Sequence, residues 1–162
     1  MKEIPAGVVE FLKNQGFVIV SSIDAQGFPH NACKNIVQID PRGEIFLIDL
    51  YHGVTKANIT RLAKISISAI DEYKFEGYAL KGEARILPHN NLTQSMISSW
   101  ENNITSRLAK RLLKHLAEEK GQRHHPEAIL PEPKYIIALN VQEIVDLTPH
   151  HLRKEGENGK NG

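Results

Sequence analysis

The residues best suited to chemistry lie together in the stretch "VTKANITR", residues 54–61. Thr55 supplies a hydroxyl, Lys56 supplies an ammonium, and a helix start supplies backbone amides that have no partner within the helix. Helix N-termini bind anions readily, whereas a lysine in the first turn is otherwise opposed by the positive end of the helix dipole. The stretch alone is therefore equally compatible with a phosphate site and with a helix capped by Thr55 with Lys56 in solvent.

A second candidate is Cys33, the one cysteine of the chain. A nucleophilic cysteine needs a base and an accessible, electropositive setting. The adjacent Lys34 would point to the opposite face of a strand. We therefore expect Cys33 to be a small residue of the core, where free cysteines are common.

The histidines and the basic residues also invite functional interpretations. Two histidine pairs, His124–His125 and His150–His151, are adjacent in loop-like sequence, and such neighbours rarely converge on one ion without further ligands. We expect exposed loop histidines and no metal site. The segment "SRLAKRLLKHLAEEK", residues 106–120, has leucines at helical spacing and no interleaved aromatic residues, which is typical of a solvated amphipathic helix rather than a nucleic-acid surface.

The composition excludes several other classes of function. The chain has 162 residues, of which 41% are hydrophobic and 24% charged, as in one globular domain. A net charge of +1 gives no global attraction to nucleic acid or to an anionic membrane, and the apolar runs are too short to span a bilayer. Walker A, GxGxxG, GxSxG and HExxH motifs are missing from the sequence. One cysteine and an N-terminus without a signal-peptide pattern favour the cytoplasm.

Hydrophobic patterns predict the scaffold for these candidates. Strands are predicted at residues 17–23, 30–39, 44–50, 65–70, 78–87 and 134–147, with helices over 4–12 and from Thr55. "DPRG", residues 40–43, predicts a hairpin turn, and Gly82 is a candidate bulge. Residues 91–120 predict a helical insertion in two pieces that meet near Asn102 and Asn103, with Trp100 as its anchor. The expected fold is mainly β, a small antiparallel barrel with flanking helices, in one domain over 1–150 before a disordered tail over 151–162.

The order of these elements resembles the pyridoxamine 5'-phosphate oxidase-like family of FMN-binding split barrels. The resemblance is carried by "GFVIVSSIDAQGFPHNACKNIVQIDPRGEIFLIDLYHGVTKANITRLAKISISAI" and "EGYALKGEARIL", and it extends to "YIIALNVQEIVDLTP". It implies a split β-barrel and a homodimer with FMN at the subunit interface. By resemblance, the strand segment that lines the isoalloxazine ring is Ala32, Cys33, Lys34 and Asn35. The strand end facing the ring and ribityl chain is Ile48 and Asp49, and the phosphate holders are Thr55 and Lys56.

The function implied is an FMN-dependent oxidoreductase that passes electrons from a nicotinamide donor to an unknown acceptor. No side chain stands out as a general acid or base, so we assign no catalytic residue. The sequence departs from true pyridoxamine phosphate oxidases, since it reads "NACKNIV" where they have an Arg-rich strand, and vitamin metabolism is not inferred. Three alternatives stay open: a non-catalytic flavin binder or sensor, a deazaflavin- or haem-binding split barrel, and an OB-like nucleic-acid-binding barrel.

Overall fold

The structure, a computed structural model, describes residues 1–50, 53–118 and 133–153, and the backbone alone for residues 107, 108 and 110–118. The helices are α1 (Ala6–Lys13), α2 (Val54–Arg61) and α3 (Gln94–Glu118). The strands are β1 (Val18–Ile23), β2 (Pro29–Asp40), β3 (Glu44–Asp49), β4 (Lys64–Asp71), β5 (Glu76–Pro88) and β6 (Tyr135–Asp146). Each strand overlaps its predicted range and differs from it by at most two residues at either end, because β-branched alternation and turn residues are local signals.

The strands form a closed antiparallel barrel in the order β1-β2-β3-β6-β5-β4. The mainly β, antiparallel barrel predicted from the sequence is thereby confirmed. The last strand, β6, lies between β3 and β5, so Asp49 pairs with Tyr135 on one side and Gly82 pairs with Val141 on the other. Because β6 lies next to β3, the end of β3 and the start of β6 meet at one end of the barrel.

The hairpin between β2 and β3 follows the predicted turn chemistry. Gly43 has φ +121° and donates its amide to the Asp40 carbonyl at 2.9 Å, in a backbone region that favours glycine. The Asp40 carboxylate accepts a hydrogen bond from the Arg42 amide at 3.0 Å and pairs with the Arg42 guanidinium. These hydrogen bonds hold the pKa of Asp40 down at about 2. The turn therefore fixes the register of β2 on β3.

Alternate residues of each strand fill the barrel, and α1 packs on the same core. Val18 and Val20 of β1 lie in a cluster with Ile45 and Leu47 of β3, all fully or nearly fully buried. From α1, the residues Val8, Val9, Phe11 and Leu12 join this cluster. Burying one such side chain stabilises the fold by roughly 1.5–3 kcal/mol. The interior, as far as the structure describes it, is thus a packed apolar core.

Gly82 marks a bulge, as predicted. The register of β5 on β6 shifts between Lys81 and Gly82. A Cβ built on Gly82 would lie 1.9 Å from the Asn140 carbonyl oxygen, which is closer than any side chain could come. Glycine is therefore required here for the two backbones to meet.

Within the predicted helical insertion, residues 94–118 form one continuous helix, so the break expected near Asn102 and Asn103 is wrong. Trp100 and Ile104 of α3 are 5% and 2% exposed and pack with Val37, Ile48 and Ile136 on the outside of the sheet. This burial overrides the low helix propensity of the asparagines. Trp100 is the anchor that the sequence predicted.

Some expectations fall at or beyond the limits of the described residues. The pair His124–His125 and the end of the insertion at 119–120 lie outside them, as do residues 154–162 of the predicted tail. The tail was predicted from residue 151, yet His150–Leu152 form a 3₁₀ turn and Arg153 donates a hydrogen bond to the Thr148 carbonyl at 2.9 Å. Residues 151–153 are therefore part of the folded structure. Among the described helices, none is long and apolar enough to cross a bilayer.

Candidate functional site

The candidate site is built where β2, β3, α2 and β6 meet. Asp49 ends β3, Tyr135 begins β6 opposite it, and α2 follows β3 along the chain. Lys34 of β2 pairs with Val18, whose side chain is in the barrel core. Directly opposed residues share a sheet face, so Lys34 points to the barrel side, where Asp49 and Tyr135 also lie.

A buried carboxylate organises this end of the barrel. Asp49 is 1% exposed, and its Oδ2 lies 2.7 Å from the Lys34 Nζ, whose side chain is 12% exposed. The Tyr135 hydroxyl donates a hydrogen bond to the same Oδ2 at 2.5 Å. Burial, reinforced by this hydrogen bond to Asp49, raises the pKa of Tyr135 well above its usual value. An unpaired buried carboxylate is strongly unfavourable, so these two partners stabilise Asp49 where it stands.

Lys56 approaches the same cluster from α2. It is the third residue of the helix, and its Nζ lies 5.4 Å from the centroid of the Tyr135 ring. A cation at this distance from a ring face is attracted by the ring quadrupole. The contact offsets part of the unfavourable interaction between a first-turn lysine and the helix dipole, and it directs the ammonium towards the end of β3.

Thr55 does not cap α2, so the alternative of a helix capped by Thr55 is wrong. The N-cap is Gly53, which has no side chain to offer, and Thr55 is the second helical residue with 3% exposure. The helix is fixed to the barrel further along, where the Asn58 amide donates to Ser22 Oγ at 3.0 Å between two buried side chains. Arg61 adds hydrogen bonds to the carbonyls of Ile23 and Asp24. These contacts position the first turn of α2 relative to β1.

A surface cavity of about 690 Å³ lies elsewhere, between α1 and the β4–β5 turn. Its lining includes Glu10, Phe11, Asp71 and Tyr73. None of the eight residues predicted to contact the cofactor borders it. Among the described residues, no three His, Cys, Asp or Glu side chains come together in a way that could hold a metal ion.

The family model described as pyridoxamine 5'-phosphate oxidase matches residues 4–144, which include the whole barrel except its last two residues. The chain belongs to the pyridoxamine 5'-phosphate oxidase family. No curated protein matches the sequence.

Solved structures share the fold of this pyridoxamine 5'-phosphate oxidase family member at low sequence identity. The HupZ protein of Group A Streptococcus has a TM-score of 0.59 and 19% identity, over 90% of this chain and 95% of its own. A pyridoxamine 5'-phosphate oxidase-related, FMN-binding protein of Nostoc punctiforme has a TM-score of 0.55 and 13% identity, over 90% of this chain and 86% of its own. An F420 reductase has a TM-score of 0.55 and 14% identity, over 88% of this chain and 98% of its own. At sequence identities this low, the structural similarity shows that these proteins share the split-barrel fold with this chain.

Within this family member, the predicted ring-lining segment of β2 divides between two faces. Ala32 pairs with Val20 and Lys34 with Val18, so both point to the barrel side, whereas Cys33 and Asn35 point outwards. Cys33 is exposed, which corrects the expectation of a core residue. It pairs with Ile19, whose side chain is 41% exposed on the same outer face, and no described element covers either one.

Ile48 is placed apart from the charged cluster. Its side chain is 2% exposed and packs under α3 with Val37 and Trp100. The Ile48 side chain is therefore on the opposite face of β3 from Asp49. The structure therefore brings Lys34, Asp49 and Lys56 together, and it adds Tyr135, which sequence reasoning missed because the pairing of β6 with β3 has no local sequence signal.

Proposed function

We propose that the protein binds FMN as a homodimer and acts as a flavin-dependent oxidoreductase. The observation that carries this proposal is the position of Lys56 in the first turn of α2, beside the Lys34–Asp49–Tyr135 cluster, in a member of this family. When bound, the flavin supplies the electron-transfer chemistry, and the protein supplies binding and orientation. We assign no catalytic residue.

The donor set fits a phosphate monoester. Lys56 brings a cation, and its backbone amide is the first of α2 that the structure shows donating to the N-cap carbonyl, that of Gly53 at 3.2 Å. The amides of Val54 and Thr55 precede it in the first turn, where a helix has no acceptor of its own to offer. Helix starts of this kind bind phosphate oxygens. Lys34 and Lys56 both bring cationic side chains to this end of the barrel. Thr55 and Lys56 are thus proposed to hold the FMN phosphate.

The ring and ribityl chain are proposed to lie along β2 and the end of β3. Lys34 would contact them at the polar end of the barrel, and Ala32, Cys33 and Asn35 would line the adjoining stretch of β2. Asp49 acts by holding the Lys34 ammonium at 2.7 Å, and Ile48 contributes backbone only, because its side chain is under α3.

A second copy of the chain is proposed to complete the site. Exposed hydrophobic side chains cluster near β1 and β4, with Phe17 55%, Ile19 41% and Ile70 65% exposed, next to the exposed Cys33. We call this patch the outer apolar face. A two-fold contact that covers it would be isologous, the commonest closed arrangement of oligomers. A cytoplasmic, reducing location suits a chain with one cysteine.

Deazaflavin binding is a second candidate, favoured by the likeness to the F420 reductase. The absorption spectrum of the purified protein, followed by titration with FMN, tests the first candidate against it. FMN gives bands in the near ultraviolet and the blue, and its fluorescence changes on binding. A protein that is colourless as purified and leaves the fluorescence of added FMN unchanged would overturn FMN binding.

A further inference from the structure

Tyr135 contacts the charged groups of the candidate site on two sides. It is 2% exposed at the start of β6. Its hydroxyl is bonded to Asp49 at 2.5 Å, and its ring faces the Lys56 ammonium at 5.4 Å. The register of β6 on β3 pairs Tyr135 with Asp49, and α2, which follows β3 along the chain, brings Lys56 to the ring.

The contact with the Tyr135 ring restricts the Lys56 side chain. Lysine has a long, rotatable stem, and ordering it when a ligand arrives weakens binding. The Tyr135 ring is 2% exposed and packs in the barrel core, so core packing keeps it from turning away from Lys56. The ring face then attracts the ammonium before any ligand is present.

We propose that Tyr135 is a positioning residue that presets Lys56 for a phosphate group and so favours phosphorylated flavin over riboflavin. The inference rests on the proposed function. The Tyr135 ring contacts Lys56, and the Tyr135 hydroxyl bonds to Asp49. Separate substitutions can therefore test the ring and the hydroxyl.

The binding test compares Tyr135→Phe with Tyr135→Leu, titrating each with FMN and with riboflavin. Tyr135→Phe keeps the ring and should keep the wild-type ratio of the two affinities. Tyr135→Leu removes the ring and should lower that ratio roughly twofold to fivefold, the range of a partly exposed cation–π contact. Circular dichroism confirms that each variant is folded.

A double-mutant cycle with Lys56→Ala supplies the control. In the Lys56→Ala background, Tyr135→Leu should cause no further loss of FMN preference. Equal weakening of FMN and riboflavin by Tyr135→Leu would show a purely structural role for the ring and overturn the proposal. Loss of preference in Tyr135→Leu that persists in the Lys56→Ala background would overturn it as well.

One measurement needs neither a flavin nor a variant of Tyr135. In the flavin-free protein, the ε-methylene protons of Lys56, assigned by their absence in Lys56→Ala, should be shifted upfield by the Tyr135 ring current. A shift like that of a solvent-exposed lysine would overturn the positioning. If wild-type protein binds neither flavin, the proposed function and the ligand assigned to Lys56 are overturned, while an upfield shift would still establish that the ring positions Lys56.

Discussion

Lys34 and Asp49 form an ion pair of 2.7 Å between adjacent strands, and their side chains are 12% and 1% exposed. The pair belongs to the barrel side of the sheet, where the neighbouring positions of the same strands are apolar core. The Lys34–Asp49 ion pair therefore makes this end of the barrel core polar.

Removing one partner of this ion pair should strongly destabilise the fold. Asp49→Ala leaves the Lys34 ammonium and the Tyr135 hydroxyl without their acceptor, and breaking a buried pair costs about 3–5 kcal/mol. Urea unfolding of wild type and variant measures the difference. The matched control is Arg42→Ala, which breaks the Asp40–Arg42 pair, where Arg42 is 84% exposed. Exposed pairs contribute little, so similar losses in the two variants would contradict the account.

Alkaline pH should destabilise the protein through Tyr135. Burial and the bond to Asp49 raise the pKa of Tyr135 in the folded state, so its contribution is complete below the unfolded pKa of about 10. Above that pH the unfolded chain loses the proton and the folded chain keeps it. The free energy of unfolding should therefore fall by up to about 1.4 kcal/mol per pH unit.

Tyr135→Phe is the control for this pH dependence, because it removes the titrating hydroxyl and retains the ring. The variant should show a shallower decline between pH 10 and 11.5 than wild type does. Parallel curves would mean that Tyr135 titrates alike in the folded and unfolded states.

Lys56→Ala should weaken FMN selectively. A charge-assisted hydrogen bond contributes roughly 1.5–3 kcal/mol, so the affinity for FMN should fall about tenfold to a hundredfold. Riboflavin lacks the phosphate, and its affinity should change little. Lys64→Ala removes an exposed lysine at the start of β4 and should alter neither affinity. Equal weakening of both flavins by Lys56→Ala would place the phosphate elsewhere.

The outer apolar face should be needed for the dimer. Ile19→Lys puts a charge in the middle of this face, where burial by a second copy would desolvate it. Light scattering should give twice the chain mass for wild type at micromolar concentration with FMN and a monomer for the variant. Leu152→Lys, at the exposed last residue of the 3₁₀ turn, serves as the control and should remain dimeric. A monomeric wild type would refute the dimer.

Local sequence signals were sufficient to predict the strands and the turn at Asp40–Gly43, because the alternation of apolar residues and the choice of turn residues depend on only a few neighbouring positions. They were also sufficient to separate Cys33 from Lys34 onto opposite faces. They could not tell which face is inside, since this depends on the pairing of Lys34 with Val18 and of Cys33 with Ile19. The same limit applies to Tyr135, whose partner Asp49 belongs to a distant part of the chain.

Helix boundaries in α2 and α3 were less predictable for a different reason. Thr55 has the right chemistry for a cap, yet the helix begins at Val54, and boundaries commonly shift by one or two residues. In α3, the burial of Trp100 and Ile104 against the sheet holds the asparagine pair in a helix. Propensity alone cannot supply that information.

The place of β6 in the barrel has a consequence for the order in which the protein can fold. β6 pairs with both β3 and β5, so during synthesis the earlier strands emerge from the ribosome with two unpaired edges. Unpaired edges are templates for aggregation, and closing them joins positions as far apart as Glu44 and Asn140, which slows folding. A nascent chain that ends before Tyr135 should therefore be the form that most depends on chaperones.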